Sequence, residues 1–208
     1  AGGYGVGDLS HVYPIARGVA PPLVALGALA AAGEALSPLG ILAVILVCLG
    51  IWIVAGRQSA MDTFGRKQPL LLALGCGVAI AAYTVADGMG GRASGDVLGY
   101  VVWLFLLDGW PFTLVVVLMR GTASLRATLP AAWKPAVGGG VMSVVAYGLV
   151  IWAMSTAPMA YVSALRETSV LLAAGIGTLL LGEPFGRRRM LAASLVVIGV
   201  AILQLSRT

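Results

Sequence analysis

Charge is scarce in this chain. Asp, Glu, Lys and Arg make up 10% of its 208 residues, against about 25% in an average soluble domain. With 60% hydrophobic residues and a mean hydropathy of +0.99, that deficit excludes an ordinary soluble fold. Histidine occurs once, at His11, so a His-based metal cluster is excluded. A serine–histidine hydrolase at membrane depth is disfavoured too, because His11 lies near a span end and no Gly-x-Ser-x-Gly elbow occurs. Lysine occurs twice, at Lys67 and Lys134, both in predicted loops, which argues against a retinal pigment. The two cysteines, Cys48 and Cys76, sit in apolar runs without metal-ligand spacing and read as small packing residues. No cofactor is expected.

Long apolar runs dominate what is present. A spanning helix needs roughly 20 apolar residues, and seven stretches qualify: 12–33, 38–56, 69–89, 97–119, 136–155, 158–182 and 188–206. The expected fold class is an all-α integral membrane protein. Gly33 and Gly182 suit helix C-termini. Ser37-Pro38 suits a helix start, with serine as cap and proline in the first position. Pro14, Pro21 and Pro22 predict a bent or interrupted first span, and Pro111 a kink in the fourth.

The few basic residues carry orientation rather than a nucleic-acid patch. Arg57, Arg66, Lys67, Arg120, Arg126, Lys134, Arg187, Arg188 and Arg189 fall in loops on one face; Arg92 and Arg207 fall on the other. Nine against two places the first face in the cytoplasm.

A repeat emerges when residues 12–54 are set against the stretch 149 positions later. Arg17 meets Arg166, Gly33-Glu34 meets Gly182-Glu183, and Gly50 meets Gly199; Ala43 and Val47 meet Ala192 and Val196. Spans 1–2 then match spans 6–7, a period of five. Five is odd, so the copies lie in opposite orientations, as in secondary transporters whose site lies near the midplane. The register also places Ala1 inside a repeat, which leads us to expect three further spans, roughly 80 residues, before it.

The run Ala157-Pro-Met-Ala-Tyr-Val-Ser-Ala-Leu-Arg-Glu-Thr-Ser-Val170, then Leu179-Leu-Leu-Gly-Glu-Pro-Phe185 and a helix containing Gly199, resembles the end of an EamA domain. Gly7-Asp-Leu-Ser-His-Val-Tyr-Pro-Ile-Ala-Arg-Gly18 with Gly33-Glu34 resembles the matching part of a preceding copy. The resemblance implies the ten-helix inverted-repeat fold of the drug/metabolite transporter superfamily. The division would be 1–56 for the last two helices of the first repeat, 57–68 for a basic linker and 69–206 for the second repeat. It also implies two cytoplasmic termini, whereas the charge count places them outside.

Asp108 is the first site candidate. It lies amid an apolar run, where a carboxylate costs a few kcal/mol or more and marks function by default; protonation there could couple transport to a gradient. Arg166 and Glu167 lie about two turns into span 6 and, being adjacent, are expected on different faces. Arg166 could hold a carboxylate or phosphate bidentately, with its repeat mate Arg17 converging, or could pair internally with an acid such as Asp108. Tyr83 and Asp87 share a helix face, although Asp87 near a helix end reads as a solvated acid. Tyr147 and Tyr161 are candidates for lining a cavity. Gly139 with Ser143, and Ala173 with Gly177, read as small-residue helix contacts.

Together these features favour a multi-pass transporter of a small metabolite or drug-like solute. An exporter in a plasma membrane, a bacterial inner membrane, working by alternating access is the leading expectation. A flippase for a lipid-linked cargo and a seven-span receptor or scaffold are the alternatives. The expected partners are a solute and the bilayer, without nucleic acid; a homodimer is compatible.

Overall fold

The computed structural model describes residues 9–55, 67–169, 172 and 187–206. Among them every regular element is a helix: α1 (Leu9–Ala32), α2 (Pro38–Ala55), α3 (Lys67–Ala93), α4 (Val97–Met119), α5 (Ala132–Thr156), α6 (Met159–Arg166) and α7 (Arg187–Leu205). Among the described residues three stretches are long and apolar enough to cross a membrane: Leu70–Ala93, Val97–Met119 and Ala132–Thr156. Shorter apolar stretches run over Arg17–Ala32, Pro38–Ile53 and Met190–Leu205.

Local chemistry sets several boundaries as the sequence leads one to expect. Gly33 adopts φ 67°, and the Glu34 N–H reaches back to the Ala28 carbonyl (3.2 Å) while the Gly33 N–H reaches Leu29 (3.2 Å). This is the six-to-one closure of a glycine-terminated helix. Ser37 then caps α2 by accepting from the Gly40 N–H at 3.1 Å. Asp96 caps α4 through the Gly99 N–H at 3.0 Å, one residue after Gly95 turns with φ 66°.

Other expectations change. Helix α1 runs through Pro14, Pro21 and Pro22 without an assigned break; each proline removes one donor, and the remaining ladder carries the helix. Helical assignment also covers the expected loop at 120–135. The departure within 97–156 falls at Gly121 (φ 73°, ψ 162°), not at Pro111. Glycine reaches that backbone region without steric cost.

The chain divides into two compact units. Residues 1–86 and 157–208 form the first, and 87–156 the second. In the first unit Ala43, Val44, Val47, Cys48, Ile51, Tyr161, Ala164, Val196 and Leu203 make a common core from α2, α6 and α7.

Helices α2 and α7 meet through reciprocal glycines. A Cβ on Gly199 would stand 2.9 Å from Val47 Cγ2 and 3.0 Å from the Ala43 carbonyl; one on Gly50 would stand 2.9 Å from the Ala192 carbonyl and against Val196. Every contact is the other shifted by 149 residues. As α2 is followed from 43 to 50, α7 is met from 199 back to 192, so the helices run antiparallel. Close backbone approach of this kind is what small residues permit between membrane helices. Gly139, read from sequence as a contact residue, has no neighbour within 4 Å of its Cβ position, and Ser143 is exposed. Ala173 and Gly177 lie outside the described residues.

In the second unit, Gly91 packs on Ile151, Gly90 on Tyr100 and Gly148 on Val101. Arg92 Nε donates to the Met154 carbonyl at 2.8 Å. Trp103, Trp110 and Phe112 of α4 are exposed, as lipid-facing aromatics would be.

Candidate functional site

Helix α6 is placed from a distance. Pro158 precedes it and supplies no side-chain cap. The Met159 N–H instead donates to Glu34 Oε2 at 2.9 Å, across 125 residues of sequence. A carboxylate at a helix N-terminus satisfies an orphan donor and favours the helix dipole. The Gly-Glu step thus has a packing role in this copy. Gly33 turns the chain, and the next residue reaches the start of another helix.

Helix α6 is short. Met159 through Ala164 are buried, and the helix closes at Arg166. The Glu167 N–H bonds to Ala164 (3.2 Å) and the Thr168 N–H to Leu165 (3.0 Å), a three-residue spacing that tightens the backbone. The Leu172 N–H then returns to Thr168 at 3.3 Å. The expected uninterrupted span 158–182 is therefore broken at 167–168, where its charged residues lie.

Two of the sequence candidates meet on a third there. Glu167 is 1% exposed, with Arg17 Nε at 3.3 Å from Oε2 and Arg166 Nε at 3.8 Å from Oε1. The adjacent Arg166 and Glu167 were expected on different faces; the tightened turn brings their head groups together. Arg17 and Arg166 are repeat mates, and they share one carboxylate. Its counterpart in the first copy is Gly18, where the Trp52 ring sits so close that a Cβ would collide with it. Ser163 Oγ, Arg166 Nε and Glu167 Oε2 are buried without a hydrogen-bond partner among the described residues.

A second polar cluster lies in the other unit. Asp87 is 8% exposed, not the solvated acid its position near a helix end suggests. The Tyr100 hydroxyl donates to Asp87 Oδ1 at 3.0 Å, and the Tyr147 hydroxyl donates to Oδ2. Phe105 stacks edge-on against Tyr147 at 6.3 Å between centroids. Sequence reading found Asp87 and Tyr147 but missed Tyr100. Tyr100 reaches Asp87 across the turn at 94–96, beyond the range of helical periodicity.

The remaining candidates do not join these clusters. Asp108 is exposed and makes no hydrogen bond or ion pair among the described residues. Tyr83 is 43% exposed. Tyr161 is a core residue rather than a cavity wall. It is 4% exposed, rests on Gly40, and accepts from the Ser206 hydroxyl at 3.1 Å. Among the described residues no three His, Cys, Asp or Glu side chains come together as a metal site would require.

Against known proteins, the profile of the EamA-like transporter family matches residues 67–205, about two thirds of the chain. No curated protein matches it.

Proposed function

The chain belongs to the EamA-like transporter family of the drug/metabolite transporter superfamily, and on that premise we propose that it exports a small solute by alternating access, with Arg17, Arg166 and Glu167 in contact with the cargo. The observation that carries this reading is the interruption of α6 at 167–168, beside a 1%-exposed carboxylate shared by two arginines. Buried ionic groups in a membrane protein are costly and cluster along transport paths. Broken helices are where transporter sites form.

In this reading residues 1–56 and 69–206 belong to two inverted repeats joined by the basic linker 57–68. The reciprocal seating of Gly50 and Gly199 supports it, because an offset of 149 residues relates both the sequences and the contacts. The host is a plasma membrane, with the basic residues between the spans on the cytoplasmic side.

The test is flux in proteoliposomes, with a panel of labelled metabolites loaded for counterflow. We expect at least one solute to exchange faster than in protein-free vesicles, and Arg166→Gln to lower that rate at least ~10-fold, the scale of one lost charge-assisted contact. Exchange that persists unchanged in Arg166→Gln would remove the cluster from the transport path.

A further inference from the structure

Among the described residues two carboxylates are buried, and the protein treats them differently. Glu167 lies against two arginines. Asp87 of α3, 8% exposed, meets only neutral groups: the Tyr100 hydroxyl at 3.0 Å on Oδ1 and the Tyr147 hydroxyl on Oδ2. No cation among the described residues reaches it. Arg92, the basic residue that follows it on α3, directs its Nε to the Met154 carbonyl at 2.8 Å. Asp87 lies within the apolar stretch Leu70–Ala93, six residues before its end, or about 9 Å along the helix axis. A carboxylate at such a position without a countercharge is costly, and it marks a functional site together with the group that pairs with it.

The surroundings define that group. Each tyrosine hydroxyl donates to Asp87 and still carries lone pairs able to accept an N–H. Phe105 stands edge-on to the Tyr147 ring, 6.3 Å between centroids. Tyr100, Phe105 and Tyr147 are all half-buried, so the rings are partly open to a ligand. Aromatic faces attract cations. An anion would be repelled by Asp87, and a neutral group would leave its charge unmet. A hard metal ion such as Ca²⁺ takes about six to eight oxygens, whereas the rings here offer carbon. An organic ammonium meets every feature: charge for the carboxylate, N–H donors for the hydroxyl oxygens, and alkyl groups for the rings.

We propose that Asp87, Tyr100, Tyr147 and Phe105 form a seat for the ammonium group of a small organic cation. All four residues belong to the second compact unit, 87–156. The seat is separate from the cluster at the end of α6 and stands whether or not that cluster touches cargo. In the orientation given above, the Ala93 end of α3 lies away from the cytoplasm, on the release side of an exporter.

The experiment is a titration of the full chain in phosphatidylglycerol nanodiscs with ethylammonium chloride, following thermal unfolding. Sodium chloride at matched ionic strength is the reference. The wild type should gain Tm saturably with ethylammonium and not with sodium. Asp87→Asn keeps the shape and an acceptor oxygen for the tyrosines, and should show no saturable shift. Phe105→Leu keeps apolar bulk without the ring, and should need roughly 2–5-fold more ethylammonium. Asp108→Asn should saturate at the wild-type concentration.

A saturable shift retained in Asp87→Asn, or lost in Asp108→Asn, overturns the proposal, as does equal stabilisation by sodium. Should Asp87→Asn fail to fold, Phe105→Leu decides, and wild-type affinity in that variant overturns the aromatic seat. Nanodiscs containing phosphatidylethanolamine separate the two sources of ammonium. A higher concentration of ethylammonium needed there assigns the seat to a lipid headgroup, and an unchanged one to a free cation; both keep an ammonium seat. Saturable binding without flux of any solute in proteoliposomes would sink the transport reading and leave the seat. Flux that depends on Arg166, with no ammonium binding by the wild type, would sink the seat and leave the transporter.

Discussion

The α2–α7 crossing offers the sharpest mechanical test. Adding one methyl at Gly199 places a carbon 3.0 Å from the Ala43 carbonyl oxygen, 2.9 Å from Val47 Cγ2 and 3.2 Å from the Val47 nitrogen. Two of these three atoms are backbone, so no rotamer change in α2 clears the space; the helices must move apart. Overpacking of this kind costs about 1–3 kcal/mol. Replacing a helical glycine by alanine returns up to about 1 kcal/mol of propensity. The net expectation for Gly199→Ala is a loss of about 1–2 kcal/mol, a fall in Tm of roughly 2–8 °C for a chain of this size. Gly75→Ala is the control, since no atom lies within 4 Å of its Cβ position, and its Tm should stay level or rise. Unfolding can be followed in detergent by thiol labelling of the buried Cys48, with the exposed Cys76 replaced by serine. Gly199→Ala unfolding at or above the wild-type temperature, while Gly75→Ala behaves as expected, would refute the close crossing.

Further outcomes follow from single contacts. Glu34→Ala removes the acceptor at the start of α6 and should lower stability by about 0.5–2 kcal/mol, read as a drop in Tm; an unchanged Tm would deny the cap any weight. Tyr100→Phe and Tyr147→Phe each remove a donor to Asp87 and should cost about 1.5–3 kcal/mol apiece, as bonds to a charged group do. A double-mutant cycle by thermal unfolding should show the two losses to be non-additive, because both hydroxyls share one carboxylate. Asp108→Asn removes a carboxylate from an exposed position on a membrane-spanning helix and should leave Tm level or raise it, because an intramembrane charge is costly; a large loss would reveal a partner that holds Asp108 in the folded protein.

The local rules of the chain were readable in advance because their causes lie within a few residues. Gly33 ends α1 and Ser37 starts α2, as glycine and serine at those positions dictate. The 149-residue offset matched Gly50 with Gly199 before either was known to touch a helix. Proline was the weaker guide: α1 continues through three prolines, and the kink within 97–156 falls at Gly121. One missing donor can be absorbed by a long helix, whereas a positive φ breaks its geometry.

The polar residues could be named one by one from the sequence, but only the fold groups them. Asp108 had the most improbable local setting and proved exposed. Asp87 had the blandest and proved buried under two tyrosines. The depth of a side chain depends on which helix covers its face, and periodicity within one helix does not report that.

From sequence alone came the membrane class, the glycine stop at Gly33, the serine cap at Ser37 and the 149-residue register of matching residues. Each follows from composition or from interactions spanning a turn or two of chain. Tertiary structure decided that Glu34 caps α6 across 125 residues, that Arg17 and Arg166 share Glu167, and that α6 closes there. Those outcomes depend on distances between segments far apart in the chain, which are settled only when the helices pack.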